Sequence, residues 1–275
     1  MQTSVNGVAL HYEISGAAKG PWVTFSHSLA ASSAMWSRQI EYLTPRYRIL
    51  TYDFRGHGKS PAASAPFTPM DLVNDIEGLL AKLAIEKTHF VGLSLGGMIG
   101  QGLALHYPDR LHSLVACNCR SDVPPAGMAG WKERIALVQS SGIDAIVEPT
   151  LQRWFAPGFE KRRPEVAAAV RAMIAGTSAE GYIGCANALM QVAYRARLHR
   201  ISVPTMFICG AQDGAAPPAE MRAMHEAVPG SAYCGLDPAG HISNIDDTPG
   251  FNQALAAFLQ KVDEGNGSNI RTDTH

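Results

Sequence analysis

Net charge is the first thing this chain lacks. Its 23 lysines and arginines are balanced by 24 aspartates and glutamates, leaving −1 at neutral pH. So weak a field gives no reason to expect a nucleic-acid or membrane partner. Long apolar runs are missing as well: no stretch of 18 apolar residues occurs, so no membrane span is expected. The first residues, Met1 to Asn6, carry neither the basic region nor the apolar segment of a secretion signal. Cysteine is scarce and odd in number: Cys117, Cys119, Cys185, Cys209 and Cys234. Cys117 and Cys119 stand too close together for most metal geometries and have no accompanying His/Cys motif, so no metal and no cofactor are expected. Cys209 and Cys234 fall in apolar runs and read as small buried hydrophobes. These scarcities together imply a cytoplasmic protein with reduced thiols.

What is present is an alternation of strand-like and helix-like segments in a chain of 275 residues, 46% hydrophobic and 17% charged. That is enough for one large domain with an insertion. Asn6-Gly7 between two β-like runs signals a hairpin. Trp22–Phe25 and Tyr47–Tyr52 read as further strands. Met70–Leu83 reads as a helix, with Leu72, Ile76, Leu79, Leu80 and Leu83 on one side. Alternation of this kind predicts a mostly parallel, twisted sheet flanked by helices, its ligand at the carboxyl ends of the strands. From Pro124 to Arg197 the alternation stops and only helices are expected. The expected organisation is a core of residues 1–123 and 198–263, a helical cap of residues 124–197, and a polar, disordered tail of residues 264–275.

The chemistry is concentrated in Gly92-Leu93-Ser94-Leu95-Gly96. An apolar strand leads in and a small, apolar helix leads out, which is the setting of a nucleophile elbow. A serine hydroxyl at its free pKa is a poor nucleophile and needs a base, commonly a histidine held by a carboxylate. Behind such an elbow the chain order is Ser, acid, His. Of the histidines well beyond Ser94, His199 and His225 read as helix residues and His275 ends the chain. His241 lies in a loop after the strand-like Ala232–Leu236. Asp213 follows the apolar strand Thr205–Cys209 and precedes His241 by 28 residues, so it is the expected acid. Asp122 also follows a strand and is the second choice. The backbone N–H groups of Leu29 and Leu95 are the expected oxyanion donors.

Several motifs carry a resemblance. They are Ser26-His27-Ser28-Leu29, Asp53-Phe54-Arg55-Gly56-His57-Gly58-Lys59-Ser60, Gly92 to Gln101, Arg153-Trp154-Phe155, Gly181-Tyr182 and His241-Ile242-Ser243-Asn244-Ile245. Through them the chain resembles the α/β-hydrolases, and more closely the 3-oxoadipate enol-lactonase branch. His27 departs from that branch, which usually has a smaller or an amide side chain there. The resemblance implies an α/β-hydrolase fold with an inserted helical cap. It implies a serine hydrolase that opens an enol-lactone to a keto acid through an acyl-enzyme.

A substrate of that kind carries a carboxylate. Trp131 and Trp154 are expected to line its pocket, and Arg134 or Arg153 to meet the charge. The alternatives are a carboxylesterase or related hydrolase using the same triad, and a ligand-binding protein on the same scaffold. His57, with Asp53 and Arg55, is expected to order its own loop by hydrogen bonds.

Overall fold

The computed structural model describes residues 1–63 and 66–270, the last five of these by their backbone alone. Eight strands make one sheet: β1 (Gln2–Val5), β2 (Val8–Gly16), β3 (Trp22–Ser26), β4 (Arg48–Tyr52), β5 (Thr88–Leu93), β6 (Leu111–Cys117), β7 (Thr205–Gly210) and β8 (Ala232–Leu236). Their spatial order is β1-β2-β4-β3-β5-β6-β7-β8. The leading hairpin pairs antiparallel with itself and with β4, and every later pairing is parallel. Asn6 and Gly7 turn that hairpin with φ of 49° and 80°, the doubly left-handed turn that matches strand twist. Strands β3, β5 and β7 are buried at every position. Helices cover both faces of the sheet there, so these strands are apolar throughout rather than alternating.

The core helices are α1 (Ser37–Leu43), α2 (Pro69–Lys82) and α3 (Leu95–His106). Helix α2 shows why its residues choose a helix. Thr68 and Asp71 cap it reciprocally, Pro69 opens it, and Leu72, Ile76, Leu79 and Leu80 form its buried stripe. Between β6 and β7 the chain is helical: α4 (Pro125–Ser141), α5 (Val147–Trp154), α6 (Phe159–Arg162), α7 (Pro164–Ala175) and α8 (Ala179–Met190). The two ends of this insertion meet in a single bridge, Asp122 to Ala193. After β7 come α9 (Pro218–Ala227), α10 (Ser243–Asp246) and α11 (Thr248–Ile270).

Two sequence expectations need correction. Residues 264–270, assigned to a disordered tail, continue α11 as helix. Propagating an established helix adds one backbone hydrogen bond per residue fixed, so polarity alone does not end it. Residues 271–275 lie outside the described residues. Cys234 is only partly buried, because β8 is the last strand of the sheet and one edge of it is uncovered.

The strand order positions the site. From β3 the chain steps to β4 on one side, then returns to place β5 on the other. The carboxyl ends of β3 and β5 therefore flank a topological switch point, where the connections diverge and leave a crevice. Among the described residues no helix is long and apolar enough to cross a membrane.

Candidate active site

Ser94 sits between β5 and α3 with φ 57° and ψ −116°. A non-glycine residue at that φ is strained, and the strain is sustained by its surroundings. Ser94 N–H donates to Cys117 O at 2.9 Å, and Ser94 O accepts from Met98 N–H at 3.0 Å. The flanking glycines are steric necessities. A Cβ on Gly92 would lie 2.2 Å from Gly96 O, and one on Gly96 would lie 2.3 Å from Ser26 O. Helix α3 thus starts almost in contact with β5 and with the end of β3, and the hydroxyl is left partly exposed at the strand end.

Asp213 and His241 follow β7 and β8. His241 Nδ1 lies 2.9 Å from Asp213 Oδ2, and both side chains are buried. The same carboxylate oxygen accepts from Asn118 Nδ2 at 2.9 Å, while Oδ1 accepts from the N–H groups of Ala215 and Ala216 at 2.8 and 3.0 Å. Burial by itself would push the Asp213 carboxyl up. The facing His241 and these donors more than offset it and hold the group below the ordinary aspartate value. A carboxylate fixed as an anion against Nδ1 leaves Nε2 as the basic nitrogen of the imidazole. Asp122, the second-choice acid, points elsewhere and pairs with Arg195 at 3.1 Å.

Ser94, His241 and Leu29 line one cavity of about 610 Å³, together with Trp131, Arg134 and Trp154 from the insertion. The Leu95 side chain is fully buried and does not line it. The chemistry asks only for its backbone N–H, in the first turn of α3. Neither that N–H nor the N–H of Leu29 finds an acceptor among the described residues. An N–H group left unpaired in this way is available to an acceptor.

The insertion side of the cavity is cationic and aromatic. The Arg134 guanidinium lies 3.8 Å from the centre of the Trp131 ring and donates to Gly130 O at 3.0 Å. Arg153, also on the wall, donates to Thr150 Oγ1 at 3.1 Å. Among the described residues neither arginine meets a carboxylate. Burial lowers the pKa of Arg134, and burial together with Arg134 lowers that of Arg153. Tyr182 faces both, its own pKa raised by burial.

Two supporting residues escaped the sequence reading. Asn118, at φ 45° just after β6, holds Asp213 and accepts from Ser243 Oγ at 2.5 Å. The rule that site residues follow strands could have found it. Asp246 accepts from Gly240 N–H at 2.8 Å and from Ala156 N–H at 3.0 Å, tying the His241 loop to the end of α5. Nothing local in the sequence marks that role. On the other side, His57 Nδ1 meets Arg55 O at 2.9 Å, Arg55 grips Asp75 through two bonds, and Asp53 accepts from Ser33 and Lys59 N–H. That loop is held both by its own bonds and by bonds to α2 and to Ser33.

Comparison with known proteins adds to this geometry. A family model described as alpha/beta hydrolase fold matches residues 21–248. The chain is 36% identical to "3-oxoadipate enol-lactonase 2" of Acinetobacter baylyi, over 92% of this chain and 94% of that one. It is 30% identical to "Putative carbamate hydrolase RutD" of Agrobacterium fabrum, over 93% of this chain and all of that one. The solved enol-lactonase from Burkholderia xenovorans superposes with a TM-score of 0.91 at 35% identity, covering 94% of this chain and 100% of that one.

Proposed function

The chain belongs to the α/β-hydrolase family, and from that premise we propose that it is a serine hydrolase opening an enol-lactone that carries a carboxylate. Ser94 Oγ attacks the lactone carbonyl as His241 Nε2 takes its proton. Asp213 holds the imidazole by Nδ1 and stabilises the imidazolium that forms. The carbonyl oxygen gathers charge between the N–H groups of Leu29 and Leu95. The acyl carbon's bond to the enol oxygen then breaks, His241 returns the proton to the departing enolate, and the enol tautomerises to a ketone. Water, activated by the same imidazole, attacks the acyl-enzyme and releases an open-chain keto acid.

The helical segment 124–197 serves as the cap in this reading. The observation that carries the substrate class is Arg134 and Arg153 on the cavity wall without a carboxylate partner among the described residues. Two neighbouring cations with no paired anion repel each other, and a substrate carboxylate relieves that repulsion. Trp131 and Trp154 give the carbon skeleton its apolar wall. The enol-lactonase names of relatives at 35–36% identity support the same substrate.

Comparing kcat/KM for an acidic enol-lactone, the saturated lactone and neutral nitrophenyl esters tests the reading. The enol-lactone is expected to lead. A hundredfold preference for neutral esters overturns the substrate class and leaves a carboxylesterase. The esterase reading has its own support in a malate-bound esterase from Thermogutta terrifontis, 28% identical with a TM-score of 0.88.

A further inference from the structure

His27 is fully buried at the end of β3, and both its ring nitrogens are engaged. Nε2 lies 2.9 Å from Phe54 N, and Nδ1 lies 2.7 Å from Ser28 O. A backbone N–H can only donate and a carbonyl can only accept. The tautomer is therefore fixed: Nδ1 carries the proton and Nε2 receives one. The ring is held edge-on against Phe54, centroids 4.7 Å apart.

The carbonyl that His27 grips belongs to the Ser28–Leu29 peptide, the unit that carries the Leu29 N–H. In a trans peptide the C=O and N–H point in opposite directions, so fixing one aims the other. The only other hold on Ser28 O among the described residues is a turn bond from Ala31 N–H at 3.1 Å. That turn includes Ala30 at φ 61°, a conformation an alanine rarely adopts. Left to the turn bond alone, the Ser28–Leu29 peptide would be held by a single contact. We propose that His27 is a positioning residue for the oxyanion hole: by holding the Ser28 carbonyl from the core side, it keeps the Leu29 N–H directed into the cavity beside Ser94. The inference rests on the reading of Ser94 as nucleophile and Leu29 N–H as oxyanion donor.

Two amide substitutions separate this role from plain loop anchoring. In His27→Asn, the amide nitrogen falls near the place of Nδ1 and keeps the bond to Ser28 O. In His27→Gln, the amide oxygen reaches the place of Nε2 and keeps Phe54 N–H, but the carbonyl loses its donor. Both are polar and fit a site of this size, and a thermal melt of each checks folding. The expected result is that His27→Gln loses about ten- to a hundredfold in kcat with KM within twofold. It should lose the same factor in affinity for a tetrahedral boronate inhibitor, while His27→Asn stays within threefold of the parent.

A His27→Gln protein as active as His27→Asn, whether both are intact or both impaired, overturns the proposal. So does a loss confined to KM. Ser94→Ala, assayed alongside, isolates the premise: if it keeps full activity, the nucleophile reading fails independently of His27. If it is inactive and His27→Gln is not impaired, only the positioning role fails.

Discussion

The two walls of the cavity are built on different principles. On the strand-end wall the Asp213–His241 pair is fixed by several partners at once, some near in the chain and some distant. The Asp213 carboxylate alone takes hydrogen bonds from Ala215, Ala216, Asn118 and His241. On the insertion wall, Arg134 is hydrogen-bonded to Gly130 and Arg153 to Thr150, each on its own helix a turn or less away. A group fixed from several directions cannot adjust to a ligand, and a group tethered to its own helix can. Rigidity is what proton transfer and oxyanion binding require, because reacting atoms must be placed within tenths of an ångström. Adaptability suits recognition of a substrate's remote charge. Under the proposed function, rate then belongs to one wall and binding to the other.

The largest effects should come from the strand-end wall and fall on kcat. Ser94→Ala is expected to lower kcat/KM for any ester or lactone by about 10⁴-fold or more, with loss of the acylation burst on a nitrophenyl ester. Asp213→Asn should approach the same loss, about 10⁴-fold, because the amide favours the wrong imidazole tautomer. A KM effect in place of a kcat effect, in either variant, would break the division between the walls. Asn118→Ala removes one of four hydrogen bonds to the same carboxylate, and should cost about tenfold in kcat.

The insertion wall should respond differently. Arg134→Ala combined with Arg153→Ala is expected to raise KM for the acidic lactone by about 10- to 100-fold, the worth of one or two charge-assisted hydrogen bonds. For a neutral ester of similar size kcat/KM should stay within a few fold of the parent. Equal loss on both substrates would show that the arginines support the fold of the insertion and not recognition of an anion.

How legible each wall was in the sequence follows from the same contrast. The elbow was readable because its glycines are dictated by contacts of 2.2–2.3 Å that any side chain would violate, and steric demands of that kind leave a local pattern. Asp213 and His241 were readable because both come directly after apolar strands, where a parallel sheet gathers its strand ends. Asn118, Asp246 and the grip of His27 on Ser28 were not read. Their partners are backbone groups or side chains whose nearness is created by the fold, as in the bond from Asn118 to Asp213, 95 residues away. The tryptophans and arginines of the insertion are nameable from type and position, but the absence of a carboxylate beside Arg134 and Arg153 among the described residues is visible only in three dimensions. Polarity is a poor guide to where α11 ends, because the helix continues to Ile270.

Acid offers a last way to sharpen the comparison, since His27 and His57, buried groups whose ordinary values lie in the acid range, follow β3 and β4 and not the insertion. Burial, aided by the neighbouring His27, pushes the His57 imidazole down to about 3. Burial also lowers His27. The insertion's Glu148, by contrast, is exposed and is lowered by its bond to Arg171. In the unfolded chain His57 titrates near its ordinary value of 6.5. Between pH 6.5 and about 3 the unfolded state therefore binds a proton that the folded state refuses. The stability contributed by neutral His57 is complete above pH 6.5 and is lost as pH falls through that window. Asp213, held below its ordinary value of 3.8, adds its own loss only at the acid end. His57→Asn keeps a donor for Arg55 O and removes the titration. Urea unfolding at intervals from pH 4 to 7 should show the slope of stability against pH reduced by about one proton, roughly 1.4 kcal/mol per pH unit. Activity at neutral pH should be little changed, because His57 does not line the cavity. An unchanged slope would move the acid sensitivity off this loop and onto the other buried histidines of the strand-end wall, with His27 the first to test.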